Sequence, residues 1–84
     1  MQRKEIQEII IEHLADVLQI DEVEITAQSS MAELGASSLD VVEVISLTMR
    51  QIKVKVPRSK LSDIENMNQL TDLLFEAKNA PQVN

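Results

Sequence analysis

The chain has 84 residues, enough for one small core and too few for two, because a chain of this size buries only about 60–65% of the surface it exposes when unfolded. Hydrophobic residues at 44% and charged residues at 26% exclude wholesale disorder, and a net charge of −6 with a single aromatic, Phe75, argues against a nucleic-acid partner. Cysteine is absent, which excludes disulfides, thiolate metal sites and a cysteine nucleophile.

The first predicted element runs from Lys4 to Leu18, where Ile6, Ile9, Ile10, Leu14, Val17 and Leu18 recur every three or four residues. That is the period of a helix with one inward face. Residues 19–37 mix β-branched and turn residues without a sustained period and predict a long connecting loop, of the kind that is usually functional. A second long helix is expected to open near Ser37 or Ser38, since Ser37 and Asp40 have the capping-box spacing, and to run to about Ile52. Its apolar residues, from Leu39 and Val41 through Met49 to Ile52, wrap more than one stripe, so part of the helix is expected to face something other than the core. Lys53–Pro57 reads as an extended connector closed by proline, leading to a short helical turn over Arg58–Ser62. Asn66 and Gln69 form the next plausible cap, ahead of Met67, Leu70, Leu73, Leu74 and Ala77 at helical spacing, and residues 80–84 read as a frayed tail. The expected fold is all-α, a small bundle of three main helices plus one short helix with a long first crossover, forming one domain over residues 1–80 with a flexible tail over 81–84.

No apolar run approaches the roughly 18–20 residues needed to span a bilayer, and Met1–Glu5 leads into an acidic amphipathic segment without an apolar signal core. A cytoplasmic monomer is expected, with no membrane partner. Charge divides unevenly along the chain. Residues 1–48 carry ten acidic and two basic side chains, a net −8, and residues 49–84 carry four acidic and six basic, a net +2. Five of the bases, Arg50, Lys53, Lys55, Arg58 and Lys60, follow one another without an intervening acid, as a solvated loop face or as a docking patch for a protein.

Catalytic constellations are missing, and an enzyme is not expected. His13 has no second imidazole to share a metal and reads as a solvated or ion-paired side chain. Asp21, Glu22 and Glu24 lack the glycine and spacing of a calcium loop and read as surface charges, while Met31, Met49 and Met67 read as gap-fillers. No metal site is expected. Leu34–Asp40 stands apart: it places Ser38 after a glycine-containing loop and at the start of a helix, where backbone N–H groups and the helix dipole favour a phosphate. On spacing alone, both serines could equally serve only to cap the helix.

These residues carry a resemblance. Leu34–Gly35–Ala36–Ser37–Ser38–Leu39–Asp40, followed by Val41–Val42–Glu43–Val44–Ile45, resembles the acyl carrier protein signature Leu-Gly-x-Asp-Ser-Leu-Asp with its apolar, Glu-containing helix. The resemblance extends over most of the chain. It implies that Ser38 carries 4′-phosphopantetheine, attached by a phosphopantetheinyl transferase from coenzyme A, and that the thiol of this arm holds acyl groups as thioesters. It further implies partner enzymes such as acyltransferases and ketosynthase-like or hydroxymethylglutaryl-synthase-like enzymes, and the apolar surplus of the second helix together with the basic run places the expected docking face at Asp40, Val41, Glu43, Val44, Arg50 and Arg58. Two departures bear on it. Ser37 stands where the family usually has Asp, and of the acidic strip of fatty-acid carriers only Asp40 and Glu43 persist, with Met49, Arg50, Lys53 and Arg58 replacing the rest. Thr48–Met49, Lys55–Val56–Pro57, Leu61, Asn66 and Leu70–Leu74 are more similar to the discrete carriers of polyketide clusters, in particular those that donate acyl units to hydroxymethylglutaryl-synthase-like enzymes in β-branching cassettes. A carrier in polyketide or related specialised biosynthesis is therefore expected, with fatty-acid synthesis and an unmodified helical interaction module as the alternatives.

Overall fold

The computed structural model describes residues 1–61 and 63–79, with the backbone alone at Arg58. Four α-helices appear there, α1 (Arg3–Leu18), α2 (Met31–Leu34), α3 (Ser38–Ile52) and α4 (Met67–Asn79), together with 3-10 turns at Glu22–Glu24 and Arg58–Lys60. The small all-α bundle expected from periodicity is what forms. No helix among the described residues is long and apolar enough to cross a membrane.

In α1 the spacing of four between Ile6, Ile10 and Leu14 aligns three fully buried side chains on one face, and that face packs against both α3 and α4. Val44, Ile45, Met67, Leu70 and Leu74 complete the fully buried set, each worth about 1.5–3 kcal/mol relative to exposure for the aliphatic side chains. Two threonines share this interior without leaving a polar atom unpaired: the Thr48 hydroxyl donates to the Val44 carbonyl and the Thr71 hydroxyl to the Met67 carbonyl, both at 2.8 Å. Of the methionines, Met31 and Met67 fill the core and Met49 packs against its edge.

Helix ends explain where the chain turns. Gln19 stops α1 in the left-handed conformation while the Ile20 N–H bonds back to the Ala15 carbonyl at 3.0 Å. Lys53 stops α3 the same way, and the Lys78 ammonium reaches from α4 to the Ile52 carbonyl at 3.0 Å, placing a cation on the negative end of α3. At the other end of the bundle the Arg3 guanidinium pairs with the Asp72 carboxylate at 2.7 Å, an exposed contact worth only about 0.2–1 kcal/mol.

Residues 19–37 differ from the expected long loop. The stretch contains the 3-10 turn and α2, buries Ile25 and Met31, and is pinned to the start of α4 by an antiparallel bridge between Ser30 and Asn66. In that bridge the Met31 N–H donates to the Glu65 carbonyl at 2.8 Å and the Met67 N–H to the Ser29 carbonyl at 2.9 Å. A four-residue helix is too short to show a period. It is held by the Ser30 hydroxyl, which accepts from the Glu33 N–H at 3.0 Å, and by the bridge itself. The second short turn spans Arg58–Lys60; Ser62, where it was expected to end, and the expected tail at 80–84 lie outside the described residues.

Candidate functional site

Gly35 closes α2 in the left-handed region, at φ 78° and ψ 18°, and its N–H returns to the Ala32 carbonyl. A side chain built there would meet nothing within 4 Å, so the requirement for glycine is one of backbone conformation and not of space. Gly35→Ala is accordingly expected to lower stability by about 1–2 kcal/mol, read from the denaturant midpoint, and to shift the amide resonances of Ser37 and Ser38. An unchanged midpoint would contradict the assignment.

The turn delivers the chain to α3 with Ser37 as its N-cap. Ser37 and Asp40 bond reciprocally: the Ser37 N–H donates to Asp40 Oδ2 at 2.9 Å, and the Asp40 N–H donates to Ser37 Oγ at 3.2 Å. Ser38 is then the first residue of α3, exposed, with no hydrogen-bond partner for its hydroxyl among the described residues. The two adjacent serines are thereby distinguished, one hydroxyl committed to the helix and the other free. Beside Ser38 lies a cleft of about 520 Å³ walled by Met31, Ala36, Leu39, Val42, Leu61 and Ile64. Periodicity did not find these walls, because Met31, Ala36, Leu61 and Ile64 come from segments too short or irregular to have a period. The available signal was on α3, where Leu39 and Val42 fall off the stripe of Val41, Val44, Ile45, Thr48 and Ile52.

The expected docking residues separate on burial. Val44 is fully buried and offers a partner no surface, and Val41, 7% exposed, shows only an edge to the Ser38 cleft; both belong to the core stripe that continues at spacings of three and four through Ile45 and Thr48. The surplus apolar surface of α3 is instead Leu39, 81% exposed, and Val42, 37% exposed. Asp40 is half-buried and occupied by the cap, Glu43 and Arg50 are exposed, and Arg58 opens the second 3-10 turn. His13, half-buried, has no ion-pair partner among the described residues and instead lies with its Nε2 2.8 Å from Gln51 Oε1, a hydrogen bond that joins α1 to α3. The Asp21 N–H donates to the Glu24 carboxylate at 3.2 Å, a cap on the first 3-10 turn. A larger open groove, about 800 Å³, is lined by Glu12, His13, Asp16, Asp21, Glu22 and Glu24 among others and shares no residue with the Ser38 cleft.

A helical bundle that presents an exposed serine at a helix N-terminus, beside an apolar cleft, has room for a group attached to that hydroxyl. The family model described as the phosphopantetheine attachment site matches residues 8–74, and the chain belongs to that family, the acyl carrier proteins. It is 30% identical over 77 residues to the polyketide biosynthesis acyl-carrier-protein AcpK of Bacillus subtilis, covering 90% of this chain and 94% of that protein. It is 36% identical over 77 residues to an acyl carrier protein of Saccharopolyspora erythraea, covering 90% of this chain and 81% of the relative, and 35% identical over 81 residues to one of Rubrobacter xylanophilus, covering 95% and 100%. The chain is a carrier and not an enzyme, and its cofactor is covalently attached 4′-phosphopantetheine.

Proposed function

We propose that the arm is attached at Ser38 and that the protein serves polyketide or related specialised biosynthesis, presenting acyl thioesters to a hydroxymethylglutaryl-synthase-like enzyme. The observation that carries the attachment is the contrast between the two serines: Ser37 Oγ is engaged by the Asp40 N–H, whereas the Ser38 hydroxyl is exposed and has no partner among the described residues. The position suits a phosphodiester. Ser38 starts a helix of 15 residues, whose positive end and outward N–H groups lower the cost of a new negative charge there. When bound, the arm supplies a thiol that holds acyl groups as thioesters. The chain's own residues do the remaining work: Gly35 and the Ser37–Asp40 cap fix the attachment point, and Met31, Leu61 and Ile64 offer an apolar wall to whatever lies against it.

For the pathway, support comes from the likeness to a relative named for polyketide biosynthesis and from the basic residues along the end of α3 and beyond. The test is to load the carrier with coenzyme A and a phosphopantetheinyl transferase and to map the adduct by fragmentation of the peptide holding both serines. The acetylated carrier is then offered to a purified hydroxymethylglutaryl-synthase-like enzyme. Adduct on Ser38 and acetyl transfer are the expected results. Adduct on Ser37 would overturn the attachment, and acetyl retained on the carrier would overturn the partner.

A further inference from the structure

We propose that the flank of the Ser38 site running from Arg50 to Lys60 docks an acidic protein face, and that the enzyme drawing on the arm carries carboxylates placed to meet it beside an apolar socket for Leu39 and Val42. This deepens the reading above and rests on attachment at Ser38. Arg50, Lys53, Lys55 and Lys60 are all exposed. Among the described residues the ion pair that forms is Arg3–Asp72, so none of these four charges is neutralised there by the chain's own acids. Along the chain they form a positive island, with no acid between Arg50 and Lys60, on a protein whose first 48 residues carry a net −8. Like charges held together repel one another, and an opposed negative surface turns that repulsion into attraction.

The chain path joins the island to the site. Leu39, Glu43, Ser46 and Arg50 follow at intervals of four, three and four, one outward stripe along α3, all exposed. Arg50 lies twelve residues beyond Ser38, about 18 Å along the helix axis. The connector then leaves the far end of α3, and the turn Arg58–Lys60 leads directly into Leu61, which walls the cleft at Ser38. A single partner surface that covers Leu39 and Val42 to reach the arm therefore also meets the basic flank. A lipid surface or a nucleic acid fits less well. Either brings extended negative charge against a molecule of net −6 whose groove at Glu12, Asp16, Asp21, Glu22 and Glu24 repels it, and no exposed aromatic is present to stack on bases. A folded protein can place its carboxylates locally. Exposed charges act chiefly on encounter and exclusion of wrong partners, so the effect belongs in KM and in its salt dependence.

Two measurements on the phosphopantetheine-loaded protein test this, using Arg50→Glu/Lys55→Glu/Lys60→Glu and the neutral variant with Gln at the same positions, each first shown to keep the wild-type melting temperature and amide spectrum. Two synthetic helical peptides with the same leucine ridge, one carrying Glu and the other Lys on its flanks, are titrated into the labelled protein. The Glu peptide is expected to shift the amides of Leu39, Val42, Arg50 and Lys55, less so as salt rises, and to lose this in the Glu variant. A Lys peptide acting equally on those amides, or a Glu peptide indifferent to the substitutions, overturns the proposal. With the acetyl-loaded carrier and the purified hydroxymethylglutaryl-synthase-like enzyme, the Glu variant is expected to raise KM about tenfold at low salt with kcat nearly unchanged, and the Gln variant to fall between. Equal KM values for all three overturn it as well. If that enzyme ignores the wild-type carrier while the peptide map holds, the pathway assignment falls and the docking surface stands.

Discussion

Ser38→Ala is expected to gain no mass from coenzyme A and a phosphopantetheinyl transferase, whereas Ser37→Ala is expected to be modified in full and to be less stable. The two hydroxyls are neighbours in sequence, and their surroundings set them apart. Ser37 Oγ satisfies the Asp40 N–H, one of the four amides that a helix start leaves without an internal partner. Removing it costs about 1 kcal/mol, the usual value for an N-cap serine, while Asp40 Oδ2 still holds the Ser37 N–H. The Ser38 side chain bonds to nothing within the described residues, so its removal leaves stability within about 0.5 kcal/mol and deletes only the nucleophile. Intact mass and denaturant midpoint together read both effects. Modification surviving in Ser38→Ala, or lost in Ser37→Ala, would reverse the assignment.

Val44→Asp is expected to unfold the protein at neutral pH. Val44 is fully buried, and an ionised carboxyl there costs several kcal/mol in addition to the lost apolar burial. At about 0.05–0.15 kcal/mol per residue, a domain of this length has only about 4–12 kcal/mol of stability to lose. Burial disfavours the charged form, so the introduced carboxyl binds its proton more tightly in the folded state than in the unfolded, and helicity should partly return as the pH is lowered. Val42→Asp, two positions earlier and 37% exposed, should keep its fold. Circular dichroism and melting curves separate the two; a native melting curve for Val44→Asp at pH 7 would show that α3 is seated differently.

That contrast shows what the sequence disclosed and what it withheld. The three long helices were legible because Ile6, Ile10 and Leu14, then Val41, Val44, Ile45 and Thr48, then Met67, Leu70, Thr71 and Leu74 repeat the helical period over several turns. The Ser37–Asp40 cap was legible because capping is local chemistry. Which apolar residue on α3 faces outward was not, since Val41, Val42 and Val44 are chemically alike and only the position of α1 and α4 decides among them. The cleft was hidden for a related reason: its walls off α3 include Met31 of α2, Leu61 and Ile64, residues whose placement depends on contacts distant in sequence. The Ser38 motif stood out because a glycine, two serines and an aspartate in that order meet a turn, a cap and a helix start together.

The bridge between Ser30 and Asn66 ties two stretches that are far apart along the chain into one cooperative unit. Met31 and Met67 each surrender an amide to the other's strand-like neighbour, so opening the first turn of α4 also releases α2 and the segment that presents Ser38. The apparent linker thus shares its backbone hydrogen bonds with a helix that begins 29 residues after Ser38, and any binding event that tightens the start of α4 also stiffens the base from which the arm swings.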